Sequence, residues 1–302
     1  KEMLQGFERT LLFDAREWSQ VSDEASKVNM HVDPVLRKNR SEYLGLLAAL
    51  RERGLVRLSR RCQSRVGVFT VSKKQGRLRL ILDCRRVNCR FRPPPGVSLG
   101  TLEGLSHVEL APGEVLYAAQ ADIRDCFYEC LMPQEMQEHF GLLPLTVAEA
   151  RRCGFTECCG TGLEGLRGDG VVDAVVTVLP MGFTWSFWLV QQLHEQKTVR
   201  YSSLCADRLV RDGCPPPKVE DGRNLGLLYC DNFNVMGTSA ASVESDLESF
   251  KAGMTQEGFE LHEVEHASPY FKILGADQDG SLGVLRPTPA RRWKLLWVLR
   301  WL

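Results

Sequence analysis

The sequence predicts an α+β fold, with β-hairpins separated by helical segments. Three observations carry that prediction. Leu225 to Gly237, LGLLYCDNFNVMG, is two partly apolar runs joined at the polar pair Asp231-Asn232, the pattern of a β-hairpin whose turn residues tolerate positive φ. Val66 to Asn88 repeats the pattern around Lys74-Gln75-Gly76, with Arg and apolar residues alternating in its second run. Helical spacing separates these hairpins from their neighbours, in Asp33 to Gly54 and again in Ser242 to Gly258. At 302 residues, 44% hydrophobic and 25% charged, the chain can bury a substantial core and hold more than one subdomain.

Taken in order, residues 1 to 30 carry mixed polarity and no motif, and read as a lead-in. Asp33-Pro34 places a capping side chain ahead of a proline at the first helical position. Val35, Leu36, Tyr43, Leu44, Leu47 and Leu50 then supply one apolar stripe, and Gly54 stops it. Pro93 to Gly96, PPPG, breaks the chain, and Val97 to Gly113 is loop-like. A strand begins at Val115 and ends in Asp122, and Met132-Pro133 closes the element that follows. Cys153 to Gly170 is a Gly- and Cys-rich insertion, expected as a flexible surface loop. Gly160 to Gly165, GTGLEG, matches a dinucleotide fingerprint, but no apolar strand precedes it and Gly168 and Gly170 spoil a following helix. Cys153, Cys158 and Cys159 lack the paired spacing of a zinc site.

Val175 to Leu179 leads into Pro180 to Ser186, PMGFTWS, with Ser186 placed to cap a helix running from Phe187 through Leu193. Residues 197 to 224, with a Pro run ending at Pro217, read as a surface connection. Ser242 to Gly258 is an amphipathic helix with an acidic start. Tyr270 to Gly275 is a strand whose turn is expected at Gln278 to Gly280, and Ala290 to Leu302 is a basic, Trp-rich helix. The most apolar window, Val171 to Val190, is interrupted by Asp173, Pro180 and Gly182, so it reads as buried strand plus turn and not as a membrane span. Eleven cysteines without regular pairing point to a reducing, intracellular setting, cytoplasm and nucleus both remaining open. The chain starts at Lys1 and stops mid-pattern at Trp301-Leu302, the expectation for a piece of a longer polypeptide.

Net charge is zero but strongly segregated. Residues 51 to 92 hold fourteen Arg and Lys against two acids, a local excess of +12 that the rest of the chain balances at −12. A block of this density suits phosphate contacts, each of which releases counterions. A solvated basic face is the alternative.

The carboxylate at the tip of the Asp231 hairpin has a counterpart in Val115 to Tyr128, VLYAAQADIRDCFY, where a strand ends in Asp122 and Asp125 and two aromatics follow. Three motifs in this order, Asp122 to Tyr128, then Leu179 to Gly182 with Ser186, then Tyr229 to Asn232, resemble the reverse transcriptase family, as found in retrotransposons and most closely the long-terminal-repeat type. That resemblance implies a right-hand polymerase, with an antiparallel palm sheet backed by helices. It divides the chain into fingers at 1–92 and 133–178, palm at 93–132 and 179–285, and the cut-short start of a thumb at 286–302.

The resemblance also implies a chemistry, RNA-directed DNA polymerisation by two-metal phosphoryl transfer. It assigns two Mg²⁺ ions, with Mn²⁺ as a substitute, to Asp122 and Asp231, with Asn232 beside them. Such ions prefer hard oxygen ligands and keep waters, so few carboxylates suffice. The incoming nucleotide falls to Lys73, Lys74, Arg79, Asp125, Phe127, Met181 and Gly182, where Arg offers a planar fork and Lys a mobile charge to phosphate. Phe127 comes to lie beneath the sugar. Tyr229, Ser186 and Arg85 are assigned to nucleic acid. The implied partners are an RNA or DNA template with its primer, deoxynucleoside triphosphates and further polyprotein domains, with no membrane. Three positions depart from the family pattern: Asn232 stands for a second Asp, Met181 for a Gln and Phe187 for a Pro. These leave two other readings open, a decayed, catalytically weak relic and a non-catalytic nucleic-acid-binding scaffold.

Overall fold

The computed structural model describes residues 4, 6–72, 76, 78–219 and 223–301. Lys73 and Lys74 lie outside the described residues. The fold is mixed α/β, and every pairing between its strands is antiparallel. The chain forms two compact units, Lys1–Pro95 with Phe127–Leu189, and Gly96–Cys126 with Val190–Leu302.

In the first unit the helix expected from Asp33 to Gly54 is two helices, Pro34–Lys38 and Arg40–Glu52. Asn39 separates them. Its backbone is extended and its side chain accepts from the amides of Ser41 and Glu42, making a second cap that the continuous apolar stripe concealed. Tyr43, Leu47 and Leu50 are buried on one face of the longer helix, and the Tyr43 hydroxyl donates to the Leu143 carbonyl at 2.6 Å. Strands Val56–Ser59, Val171–Val176 and Leu145–Thr146 form a small sheet. The basic hairpin pairs Gly67–Ser72 with Leu78–Asp83. The Cys153 to Gly170 insertion is an ordered hairpin rather than a loose loop: Glu157–Cys158 pairs with Thr161–Gly162, and the buried Leu163, Phe155 and Cys158 anchor it. All eleven cysteines are free thiols.

The second unit is built on a four-stranded sheet in the order Leu261–Ser268, Tyr117–Ile123, Asn232–Gly237, Leu225–Tyr229. The first of these strands has no clear sequence signature, because its residues are half-exposed and polar. One face of the sheet meets the helix Ala240–Gln256, where the Phe250 and Phe233 rings stack with centroids 4.0 Å apart. The end of the helix Thr184–Tyr201 crosses behind it at Gly253, where any Cβ would run into the Tyr201 ring. The other face is covered at its far end by Leu105, Leu116, Val210, Phe271 and Ile273 packed on Ala118, Leu227 and Met236. A separate three-stranded sheet follows, Tyr270–Ile273, Ala276–Asp279 and Val284–Pro287. Its first turn is at Leu274-Gly275, both at positive φ, and not at Gln278 to Gly280, because Gln278 and Asp279 are paired strand residues. The last helix, Pro289–Leu299, exposes its tryptophans and leucines. Among the described residues no helix is long and apolar enough to cross a membrane.

Candidate functional site

The second unit brings Asp122 and Asp231 to neighbouring strand ends. Asp122 is the penultimate residue of the strand Tyr117–Ile123, directly opposite Asn232 in register, and the Asp231 carbonyl accepts from the Ile123 amide at 2.9 Å. Residues opposite one another in an antiparallel sheet share a face. The registers therefore line up His262, Asp122, Asn232 and Tyr229 as one row across all four strands. The hydrophobic cover of this face stops short of the row, which leaves Tyr229 exposed and the other three part-exposed.

The turn of the Asp231 hairpin is displaced by one residue from the sequence expectation. Tyr229 pairs with Asn232, so the two turn residues are Cys230 and Asp231, and the positive φ of 56° falls on Cys230. Cys230 tolerates that conformation because the helix Thr184–Tyr201 clamps it. Its amide donates to the Gln191 side chain at 2.8 Å and its carbonyl accepts from His194 Nδ1 at 2.7 Å. Burial pushes the Cys230 thiol far above its ordinary range, with the neighbouring Asp231 charge adding to the effect, so the turn carries no thiolate beside its carboxylate. Asn232 in turn donates Nδ2–H to Asp231 Oδ1 at 3.1 Å. The Asn232 amide thus orients the Asp231 carboxylate.

Gln191 and His194 were not legible in the sequence, nor was the full length of their helix, which was expected to stop at Leu193. The reason is that Gln191, His194 and Thr198 occupy the buried face at helical spacing, where a sequence reading looks for apolar residues. Burial lowers the His194 imidazole from 6.5 to about 4, so it stays neutral, with Nδ1–H donating to Cys230. Acidification therefore loads a proton onto the unfolded chain before it can load one onto the fold, and stability falls as the pH drops from about 6.5 towards 4. At pH 5 this costs about 2 kcal/mol. His139, buried in the first unit and also lowered to about 4, adds a loss of the same sign. Urea denaturation at pH 7 and pH 5 measures the total, and His194→Asn, which keeps a donor at that reach, should remove only the His194 share.

The remaining sequence candidates fall in different settings. Asp125 turns the chain after the strand at a φ of 48° and is exposed. In the first unit Phe127 is half-buried in the short helix Cys126–Glu129. Arg79 stands on the exposed part of the basic hairpin, opposite Val71, with no partner among the described residues. Gly182 has a φ of 120°, and a Cβ there would meet the Leu82 carbonyl at 2.8 Å, so its close approach is to the protein's own backbone. Met181 beside it is half-buried. Ser186 does not cap its helix, which begins two residues earlier at Thr184. It is buried, and its hydroxyl donates to the Pro180 carbonyl at 2.8 Å.

Arg85 is likewise engaged by the protein itself. Its Nε and Nη2 form a fork on the Asp83 carboxylate at 2.8 and 2.7 Å, holding that carboxyl down to about 2. Arg92 forks on Glu17 in the same way, Arg65 pairs with Asp173 through one nitrogen, and Arg57 donates to the Gln137 side chain. Part of the basic block is thus engaged within the protein.

The comparisons with known proteins agree with the fold. The chain matches the solved structure of a foamy viral protease-reverse transcriptase in complex with double-stranded DNA, at a TM-score of 0.53 and 14% identity over 83% of this chain. The fold is thus similar to that of a reverse transcriptase. The chain spans 35% of the length of that protein. No protein-family model and no curated protein matches the sequence.

Proposed function

We propose that this chain is the polymerase domain of a retroelement, adding deoxynucleotides to a primer 3′ end on an RNA or DNA template. One observation carries the reading: two carboxylates, from separate motifs 109 positions apart, stand at adjacent strand ends of a sheet whose fold is that of a reverse transcriptase. In this reading the first unit serves as fingers, the second as palm, and the helix Pro289–Leu299 begins a thumb.

The donor set suits Mg²⁺ or Mn²⁺. Asp122 and Asp231 offer hard oxygens and no thiolate competes. When bound, such ions stabilise the charge that develops on the attacking and leaving oxygens of phosphoryl transfer. The protein's own contribution is positional. Gln191 and His194 fix the turn that presents Asp231, Asn232 holds one of its oxygens, and the Ile123 amide ties the two motifs together. Nucleotide phosphates fall to Arg79 with Lys73 and Lys74, and the sugar to Phe127.

Primer extension tests this directly. A labelled primer on an RNA template should lengthen in the presence of Mg²⁺ and deoxynucleotides. No extension, with duplex binding indifferent to Mg²⁺ and nucleotide, would establish the scaffold reading instead. A second measurement bears on the basic hairpin: Arg79→Ala should raise the nucleotide KM about tenfold, because a charge-assisted phosphate contact worth about 1.5 kcal/mol is lost. Primer-template affinity and its salt slope should be unchanged. A reduced salt slope with intact nucleotide use would make Arg79 a template contact.

A further inference from the structure

Resting on the reading of Asp122 as a metal ligand, we propose that His262 is a positioning residue that holds the Asp122 carboxylate for metal. The motifs named above do not include it, because it lies on the strand that the sequence does not announce.

The geometry has three parts. His262 is paired in register with Asp122, and its Nδ1 lies 3.2 Å from the Asp122 carbonyl oxygen and 3.4 Å from its Oδ1. Both neighbours are acceptors, so Nδ1 carries the hydrogen whatever the charge on the ring. The ring thus hydrogen-bonds to the Asp122 backbone and stands 3.4 Å from its carboxylate, which limits where that side chain can swing. Second, the strand is irregular immediately afterwards. Pairing with Tyr117–Ile123 shifts register between His262 and Glu265, and Glu263 adopts a φ of 50°. Bulges of this kind re-aim a side chain, and a non-glycine residue at positive φ is retained only where the surroundings impose it. Third, the strand is fixed just before His262, where the Arg124 amide, next along the chain after the Asp122 strand, donates to the Glu260 carbonyl at 2.9 Å.

Both carboxylates have a polar side chain beside them: Asp231 accepts a hydrogen bond from the Asn232 amide, and the His262 ring stands 3.4 Å from Asp122 Oδ1. Outer donors of this type orient metal ligands, and their loss typically costs tenfold or more in metal affinity.

The test uses Mn²⁺ alone as probe, its binding followed by electron paramagnetic resonance at fixed pH on the wild-type chain and on Asp122→Asn, His262→Leu and His262→Asn. His262 is about one-third exposed, so folding should survive each change, and thermal melting of the metal-free proteins checks this. His262→Leu should weaken Mn²⁺ about tenfold, and His262→Asn, whose amide can donate at a similar reach, should recover to within about threefold of wild type. In single-nucleotide incorporation, the Leu change should raise the Mg²⁺ midpoint with little effect on primer-template affinity. Wild-type Mn²⁺ affinity in His262→Leu, against a loss in Asp122→Asn, would overturn the inference while sparing the metal reading. An Asn variant as weak as Leu would show that ring packing, not donation, is what matters. Unchanged binding in Asp122→Asn would overturn the metal reading and this inference together.

Discussion

Asp231→Asn should abolish nucleotide addition while leaving the protein folded. The substitution preserves size and still turns the hairpin, since the Cys230 contacts to Gln191 and His194 and the Asp231 backbone bond to Ile123 do not involve the carboxylate. In the proposed function, what disappears is one of the two negative charges that would hold metal. Charge stabilisation by such ions is worth several kcal/mol in the transition state, so a loss of at least about a thousandfold in kcat, or about 4 kcal/mol, is expected. Asp122→Asn should match it. Because the two carboxylates act as a unit, the double variant should be little worse than either single one. Additive losses would mean that the two side chains serve separate steps. The measurement is single-turnover incorporation, with far-ultraviolet circular dichroism confirming the fold.

Phe127→Val should let the protein accept ribonucleotides. In the proposed function this ring would lie against the sugar C2′, leaving no room for a hydroxyl and offering no hydrogen bond to one. A displacement of about 1 Å from in-line geometry costs about a hundredfold in rate, so relief of the clash should raise ribonucleotide incorporation by that order. Deoxynucleotide incorporation should fall only slightly. Phe127 is half-buried in a four-residue helix, so the smaller side chain opens no large cavity. Single-nucleotide extension with each substrate class decides the matter, and unchanged discrimination would make Phe127 a packing residue.

The elements that were legible in the sequence are those whose residues obey local rules. Asp33-Pro34 announced a helix start, and alternation announced the hairpin Gly67–Ser72 with Leu78–Asp83. The hairpin around Asp231 was visible for the same reason, yet its turn was misplaced by one residue. Asp and Asn are the ordinary turn formers, but here the positive φ is imposed on Cys230 by Gln191 and His194 from a helix some forty residues upstream. Tertiary contacts overrode local preference. The same cause hid the strand Leu261–Ser268, half-exposed and bulged, and with it His262. Asn39 split a helix through side-chain capping that an unbroken apolar stripe does not reveal. At the candidate site, the juxtaposition of Asp122 and Asp231 was foreseeable because each ends an apolar strand pattern. Their supports were not, because a donor at the right distance can be a Gln, a His or a backbone amide from anywhere in the chain. Conversely, Arg85 and Ser186 matched family positions but are engaged by Asp83 and Pro180.

The central claim is that Asp122 and Asp231 share one pair of metal ions. A crystal structure of the chain with primer-template, Mg²⁺ and a non-hydrolysable deoxynucleotide measures it most directly. Two ions about 4 Å apart, each ligated by at least one of these carboxylates and bridged by nucleotide phosphate, is the predicted result. Carboxylates more than about 8 Å apart, beyond the reach of a shared ion pair, or metal bound to other side chains, would contradict it.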